Sequence, residues 1–268
     1  MNIAIIIPAR YASTRFPGKP LAKIGGQSML SRVVDLAKQA ANGADNISVT
    51  VTTEDQRIAD HAADIGADCI ITSDTCETGS DRVLEAAQKL ETTPDFILNI
   101  QGDAPFTPLG VVQKMLDGFA DGVQVITPVH RLSWSDLDRL RENKVVTPFS
   151  GTTAIIGEDS QAMWFSKNII PAIRKEDTLR AESGISPVHQ HIGLYGYSFA
   201  ALEKFCALSP SPHEQLEGLE QLRFLENDIS ITAIPVDIES GTLQSGIDTP
   251  EDLARAEEML ATPQLEKS

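Results

Sequence analysis

The chain has 268 residues, 41% of them hydrophobic and 22% charged, which suits one or two globular domains and excludes a disordered chain. Its 38 acids outweigh its 22 bases for a net charge of −16, which argues against non-specific binding to nucleic acid polymers or anionic membranes. No apolar run approaches the roughly 20 residues of a membrane span. Met1 to Pro8 is apolar but lacks a basic flank and a small-residue cleavage site, so it reads as a strand and not as a signal peptide. Cys69, Cys76 and Cys206 form no Cys-x-x-Cys pair, so reduced thiols in a cytoplasmic protein are expected.

Strand and helix patterns alternate through the first half. Ile3 to Ile7 is a continuous apolar run, as in a parallel strand buried on both faces. Residues 28–41 follow as a helix with Met29, Leu30, Val33, Val34, Leu36 and Ala37 inward. Then come a strand over Ile47 to Thr52, a helix over Glu54 to Ile65 ended by Gly66, and a strand over Cys69 to Thr72. Ser80 opens a helix with Asp81 in its first turn. Phe96 to Ile100 is a strand, Leu109 to Phe119 a helix and Val123 to Val129 the fifth strand. Five strands with helical crossovers predict an α/β fold with a doubly wound, mostly parallel sheet.

The second half is less regular. A hairpin is predicted from Ala154 to Ile156 and from Ala162 to Phe165, around Gly157-Glu158-Asp159-Ser160. His191 to Tyr197 alternates like a strand, His213 to Leu225 reads as a helix, and Ile229 to Pro235 as a strand. Pro250 to Leu260 is the last helix, with Thr249 as its N-cap and Glu251 and Asp252 complementing its dipole. The simplest organisation is a single domain over 1–262 with an inserted β region at about 143–198 and a polar tail at 263–268.

Charge is unevenly placed. Residues 1–34 hold Arg10, Arg15, Lys19, Lys23 and Arg32 and no acid, where an even spread would put about five acids. Most of this charge lies in the segment from Pro8 and Ala9 through Arg10, Ser13, Thr14 and Arg15 to Gly18, Lys19 and Pro20, directly after the first strand. Ligands of open α/β sheets bind beyond the C-terminal strand ends. Backbone N–H groups, two hydroxyls, two guanidinium groups and an ammonium there suit a triphosphate, and a structural basic loop is the alternative. The segment lacks the Gly-x-Gly-x-x-Gly of dinucleotide folds and the Gly-Lys-Ser/Thr of P-loops, against dehydrogenase and ATPase readings. Asp103 ends the fourth strand in Gln101-Gly102-Asp103 and is either a Mg²⁺ ligand or a turn aspartate. Asp248 precedes the last helix and, on its own, reads as support for that cap. Arg82 reads by itself as an exposed salt-bridging arginine. The N–H groups of Gly79 and Ser80 suit an acceptor edge or an anion.

These segments occur in the order of a known family. The loop, Thr78-Gly79-Ser80-Asp81-Arg82, Asn99-Ile100-Gln101-Gly102-Asp103, Phe165-Ser166-Lys167, His191-Ile192-Gly193-Leu194-Tyr195-Gly196-Tyr197, Leu219-Glu220-Gln221-Leu222-Arg223 and Gly246-Ile247-Asp248-Thr249-Pro250 cover the chain from end to end. Together they resemble the 3-deoxy-manno-octulosonate (Kdo) cytidylyltransferases. The resemblance implies a nucleotidyltransferase domain, a homodimer through the inserted region, and CTP and an acidic eight-carbon sugar as partners. CTP is implied at Pro8, Ala9, Arg10, Ser13, Thr14, Arg15, Lys19, Thr78, Gly79, Ser80, Arg82 and Gln101, with Arg10, Arg15, Lys19 and Asp103 catalytic. Mg²⁺ is implied as cofactor on Asp103 and Asp248, and the sugar at Gln101, Lys167, His191, Tyr195, Glu220 and Gln221. Met163, Trp164 and Phe165 read as core or dimer contacts.

The departures cluster on the sugar side. Asp103-Ala104-Pro105 stands where the family usually has Asp-Glu-Pro, Lys167 stands where it has arginine, and Asn143 to Thr153 is longer than usual. Lysine keeps the charge of arginine but loses the fork that matches a carboxylate. With the CTP loop intact, this pattern implies a modified sugar, 8-amino-3,8-dideoxy-manno-octulosonate, in preference to Kdo, with Glu217 or Glu220 as the acid meeting the amine. The rival readings are an ordinary Kdo enzyme, a cytidylyltransferase for another acidic sugar, and a non-catalytic nucleotide sensor.

Overall fold

The computed structural model describes residues 1–12, 16–238, 247 and 249–261. They fold as two compact units, one built from Met1–Pro94, Asn99–Leu109 and the segment from Gln244 onward, the other from Asp95–Leu98 and Gly110–Leu243.

In the first unit, β1 (Ile3–Pro8) is buried along its whole length, as a strand covered on both faces must be. A short hairpin, β2 (Lys23–Ile24) and β3 (Gln27–Ser28), leads into α1 (Met29–Ala41). Ser28 caps that helix by accepting the Ser31 N–H, and Met29, Leu30, Val33, Val34 and Ala37 fill the core. Next come β4 (Ile47–Thr53), α2 (Gln56–Asp64), β5 (Asp68–Ile71) and α3 (Gly79–Lys89). β4 pairs parallel with β1, and β5 parallel with β4.

The second unit carries β6 (Phe96–Asn99), α4 (Leu109–Asp117), β7 (Val125–Ser133), α5 (Trp134–Val146), β8 (Thr152–Ile156), β9 (Ala162–Ser166) and α6 (Glu176–Glu182). It continues with β10 (Ile185–His191), β11 (Tyr195–Ser198), α7 (Phe199–Cys206), α8 (Pro212–Glu217), α9 (Gln221–Glu226) and β12 (Ile231–Pro235). Its strand order is β6-β11-β7-β10-β8-β9, with β12 also on β7. The chain then returns to the first unit with α10 (Pro250–Ala261). Thr249 and Asp252 cap α10 reciprocally, each side chain accepting the other's N–H. Leu253 and Ala256 of α10 pack with Ile247, Ile24, Met29, Phe16 and Phe106.

The expected α/β, doubly wound class stands, with corrections inside the second unit. β7, expected as a fifth parallel strand, pairs antiparallel with β10 and β11 and parallel only with β12. The single strand expected over His191 to Tyr197 is two strands. His191 pairs with Val129 and Gly196 with Ile126, so five steps along one strand oppose three along the other. The surplus makes a bulge at Ile192–Leu194, where Thr127 donates its hydroxyl to the Leu194 carbonyl at 2.9 Å. The helix expected over His213 to Leu225 is α8 and α9, broken at Gly218, which takes a left-handed φ of 64°. No helix among the described residues is long and apolar enough to cross a membrane.

Candidate functional site

The loop after β1 is tied at both ends. Ala9 donates its N–H to the Thr52 carbonyl, and Arg10 Nη2 donates to the Cys76 carbonyl at 2.7 Å. The loop closes where Gly18 donates its N–H to the Tyr11 carbonyl at 2.9 Å. Gly18 sits at φ 70°, and a Cβ there would come within 3.2 Å of the Tyr11 ring, so this position requires glycine. Ser13, Thr14 and Arg15 lie outside the described residues. Lys19 is buried, and its ammonium lies 2.6 Å from Asp103 Oδ2.

Asp103 is aimed by the turn before it. Gly102 donates its N–H to the Pro8 carbonyl, and a Cβ on Gly102 would stand 2.9 Å from that oxygen. Only glycine lets the chain close on the end of β1. The Asp103 carbonyl in turn accepts the Ile247 N–H at 3.1 Å. Asp248, the next residue, lies outside the described residues. The side chain of Asp103 is one third exposed, a single hard oxygen donor in the open. Such a donor fits Mg²⁺, which takes one or two carboxylates beside phosphate oxygens and water.

Gln101 donates Nε2 to Asn99 Oδ1 at 3.0 Å and lies against Gly79, the first residue of α3. Thr78 caps that helix, its hydroxyl accepting the Asp81 N–H while Asp81 accepts the Thr78 N–H. Gly79 and Ser80 therefore occupy the helix's first turn, one residue earlier than the sequence suggested. Arg82 is not the exposed arginine of the simplest reading, since only 1% of it is accessible. Its Nη2 pairs with Glu54 Oε2 at 2.9 Å and its Nη1 donates to Thr72 Oγ1 at 2.7 Å, while Nε is buried without a hydrogen-bond partner among the described residues. Sequence reasoning missed Glu54 and Thr72. The available signal was an acid immediately after the β4 strand end, where ligands of such sheets gather.

The remaining candidates belong to the second unit. The β10–β11 bulge brings together two side chains that a regular strand would hold about 13 Å apart. The His191 and Tyr195 rings have centroids 5.4 Å apart, and Phe165 meets His191 edge-on at 5.1 Å. Burial, and then the nearby Lys167 charge, push the His191 imidazole down to about 3, so it is neutral at pH 7. Its Nε2 lies 2.9 Å from Thr127 Oγ1. Because that hydroxyl gives its one proton to the Leu194 carbonyl, Nε2 carries the imidazole hydrogen and donates. Burial raises the Tyr195 phenol well above its ordinary range, with Tyr197 and Glu220 adding to the effect, so it stays a neutral donor.

Lys167 is half-buried, and burial lowers its ammonium while Glu217 opposes the shift. Glu217 accepts the Ser166 hydroxyl at 2.8 Å and the Lys167 N–H at 2.7 Å. Glu220 is exposed, and Gln221 is buried with Nε2 lacking a hydrogen-bond partner among the described residues. Of the expected core or dimer contacts, Phe165 is fully buried, Met163 is exposed, and Trp164 packs edge-on against His213.

A family model described as Cytidylyltransferase matches residues 4–231. The chain is 43% identical over 263 residues to a 3-deoxy-manno-octulosonate cytidylyltransferase of Maricaulis maris, covering 97% of this chain and 98% of that one. It is 40% identical over 261 residues to one from Anaeromyxobacter sp. strain K, with the same coverage. Among solved structures it resembles a CMP:2-keto-3-deoxy-manno-octonic acid synthetase complexed with CTP, at 31% identity and a TM-score of 0.81, over 97% of this chain and 99% of that one.

Proposed function

We propose the activity from one premise: this chain belongs to the 3-deoxy-manno-octulosonate cytidylyltransferase family. It transfers the CMP group of CTP to a 3-deoxy-octulosonate sugar and releases pyrophosphate. The observation that supports this best is the Lys19–Asp103 pair, an ammonium and an open carboxylate held 2.6 Å apart beside the end of β1. A triphosphate needs this mixture of a fixed cation and a hard oxygen donor.

The anomeric hydroxyl attacks the α-phosphorus, the bond to the bridging oxygen breaks, and pyrophosphate leaves. Positioning and charge neutralisation do most of the work in such transfers. Arg10, Arg15 and Lys19 neutralise the charge that builds on the leaving pyrophosphate. Pro8, Ala9, Ser13 and Thr14 line the phosphates, and Thr78, Gly79, Ser80, Arg82 and Gln101 form the base and ribose side. Asp103 and Asp248 would hold Mg²⁺, which when bound neutralises phosphate oxygens. On the sugar, Lys167 meets the carboxylate, neutral His191 accepts from a hydroxyl at Nδ1, and Tyr195 donates to another. Glu220 and Gln221 supply the remaining polar contacts, and Gln221 Nε2 has a hydrogen to give.

The preferred sugar is the 8-amino compound, on the strength of the altered residues Ala104 and Lys167 beside an unaltered CTP loop. Glu217 or Glu220 is then the acid that meets the amine, and both carboxylate oxygens of Glu217 also accept hydrogen bonds within the protein. The enzyme acts as a homodimer, a reading supported by exposed Val145, Val146, Phe149 and Met163 within the inserted β region. A cytoplasmic setting is supported by three cysteines that form no disulfide. The experiment is a comparison of kcat/KM for the two sugars at equal CTP and Mg²⁺, read as pyrophosphate release. A preference for the amino sugar is expected, because a site built for one polar group leaves its own groups mismatched against the other. Equal or higher efficiency with Kdo makes the departures neutral, and release with neither sugar removes the whole assignment.

A further inference from the structure

We propose that Glu217 and Lys144 are positioning residues that hold Lys167 by its backbone, so that its side chain meets the sugar from a fixed root. The inference rests on the reading of Lys167 as a sugar contact.

Both backbone polar groups of Lys167 are bonded to charged side chains. Its N–H donates to Glu217 Oε2 at 2.7 Å, from the last residue of α8. Its carbonyl accepts from Lys144 Nζ at 2.5 Å, from the last turn of α5. Hydrogen bonds to ionised groups are shorter and roughly twice as strong as neutral ones. Neighbouring residues are tied into the same clamp. Ser166 gives its hydroxyl proton to Glu217 Oε1 at 2.8 Å and accepts the Asn168 N–H at 2.9 Å. Lys144 also reaches the carbonyls of Ser150 and Gly151, at 2.5 and 2.9 Å. The longer stretch from Asn143 to Thr153 and the lysine at 167 are therefore joined by one ammonium.

The chemistry explains why such a clamp is useful here. Arginine meets a carboxylate with a planar fork that fixes its own geometry, whereas lysine is a point charge on a flexible four-carbon stem. Lysine at this position leaves the geometry to be set elsewhere, and anchoring its N–H and C=O from two different helices sets it. Neither Glu217 nor Lys144 is required to touch the substrate.

The test is steady-state kinetics on the full chain with CTP, Mg²⁺ and the preferred sugar. Lys144→Met and Glu217→Gln should each raise the sugar KM about tenfold, the scale expected of a small misplacement, and leave the CTP KM within about twofold. Lys144→Arg, which keeps a cationic donor, should restore most of the loss. In a Lys167→Ala background, Lys144→Met and Glu217→Gln should add less than about twofold to the sugar KM, since independent effects would add in full. Full addition in that background, or unchanged sugar KM in both single variants while Lys167→Ala raises it, overturns the positioning role. An unchanged sugar KM in Lys167→Ala itself removes Lys167 from the sugar site, and the clamp's role with it. If Lys144→Met does not fold, the Glu217→Gln pair of measurements decides alone.

Discussion

Lys19 and Asp103 are 84 positions apart in sequence and 2.6 Å apart in space. Losing a charge-assisted contact to phosphate costs about 1.5–3 kcal/mol. Lys19→Ala should therefore raise the CTP KM or lower kcat by roughly one to two powers of ten, and wild-type kinetics would remove Lys19 from the phosphate site. Asp103→Asn keeps the shape, loses the charge for Lys19 and for a divalent ion, and should nearly abolish turnover with the circular dichroism unchanged. A second residue-scale consequence concerns His191. The unfolded chain takes up a proton at this residue near pH 6.5, but the folded protein does so only near 3. Stability is therefore fully present above pH 6.5 and is lost as pH falls from there toward 3. Urea midpoints at pH 7 and pH 5 should fall further apart in the wild type than in His191→Gln; equal spacing would show that His191 is not held neutral. His189, also lowered by burial, contributes in the same direction and remains in both proteins.

At the scale of elements, patterns that are continuous in sequence are legible. β1 is an unbroken apolar run, α1 shows its inward face, and the Thr249 cap of α10 can be read directly. Breaks inside a pattern are not. Alternation from His191 to Tyr197 looks like one strand because nothing local records the two surplus residues opposite β7. That bulge is also what joins His191 to Tyr195, so the missed irregularity belongs to the candidate site itself. α5 goes unread because its buried residues, Trp134, Leu137 and Leu140, are sparse among charges. The α8–α9 break turns on Gly218, whose left-handed backbone is what places Glu220 and Gln221 at the start of a new helix. Nothing lies within 4 Å of a Cβ added there, so the cost of a side chain is backbone strain alone. Gly218→Ala should lose about 1 kcal/mol in urea denaturation and Gly218→Asn less, since asparagine tolerates this region. Equal losses would point to a contact and not to the backbone.

For the molecule as a whole, the acid-free first 34 residues of a chain with net charge −16 make a basic segment legible without any structure, and phosphate binding is the reading proposed for it. The basic loop and Gln101-Gly102-Asp103 follow strand ends, where ligand groups gather, so they too can be read from sequence. Lys144 and Glu217 act on the backbone of Lys167, atoms that every residue possesses, so sequence gives no sign of these contacts, and Glu54 shows only as an acid at a strand end. The shared family supports one reaction, transfer of the α-phosphoryl group with its cytidine, and the Lys19–Asp103 pair is the place proposed for the phosphates. The most direct measurement is to incubate the protein with Mg²⁺, a 3-deoxy-octulosonate sugar and CTP labelled at the α-phosphorus, then separate the products. The label should move into a sugar nucleotide in step with pyrophosphate release, and Asp103→Asn should suppress both. Label remaining in CTP, or appearing as free CMP without a sugar nucleotide, would contradict the account.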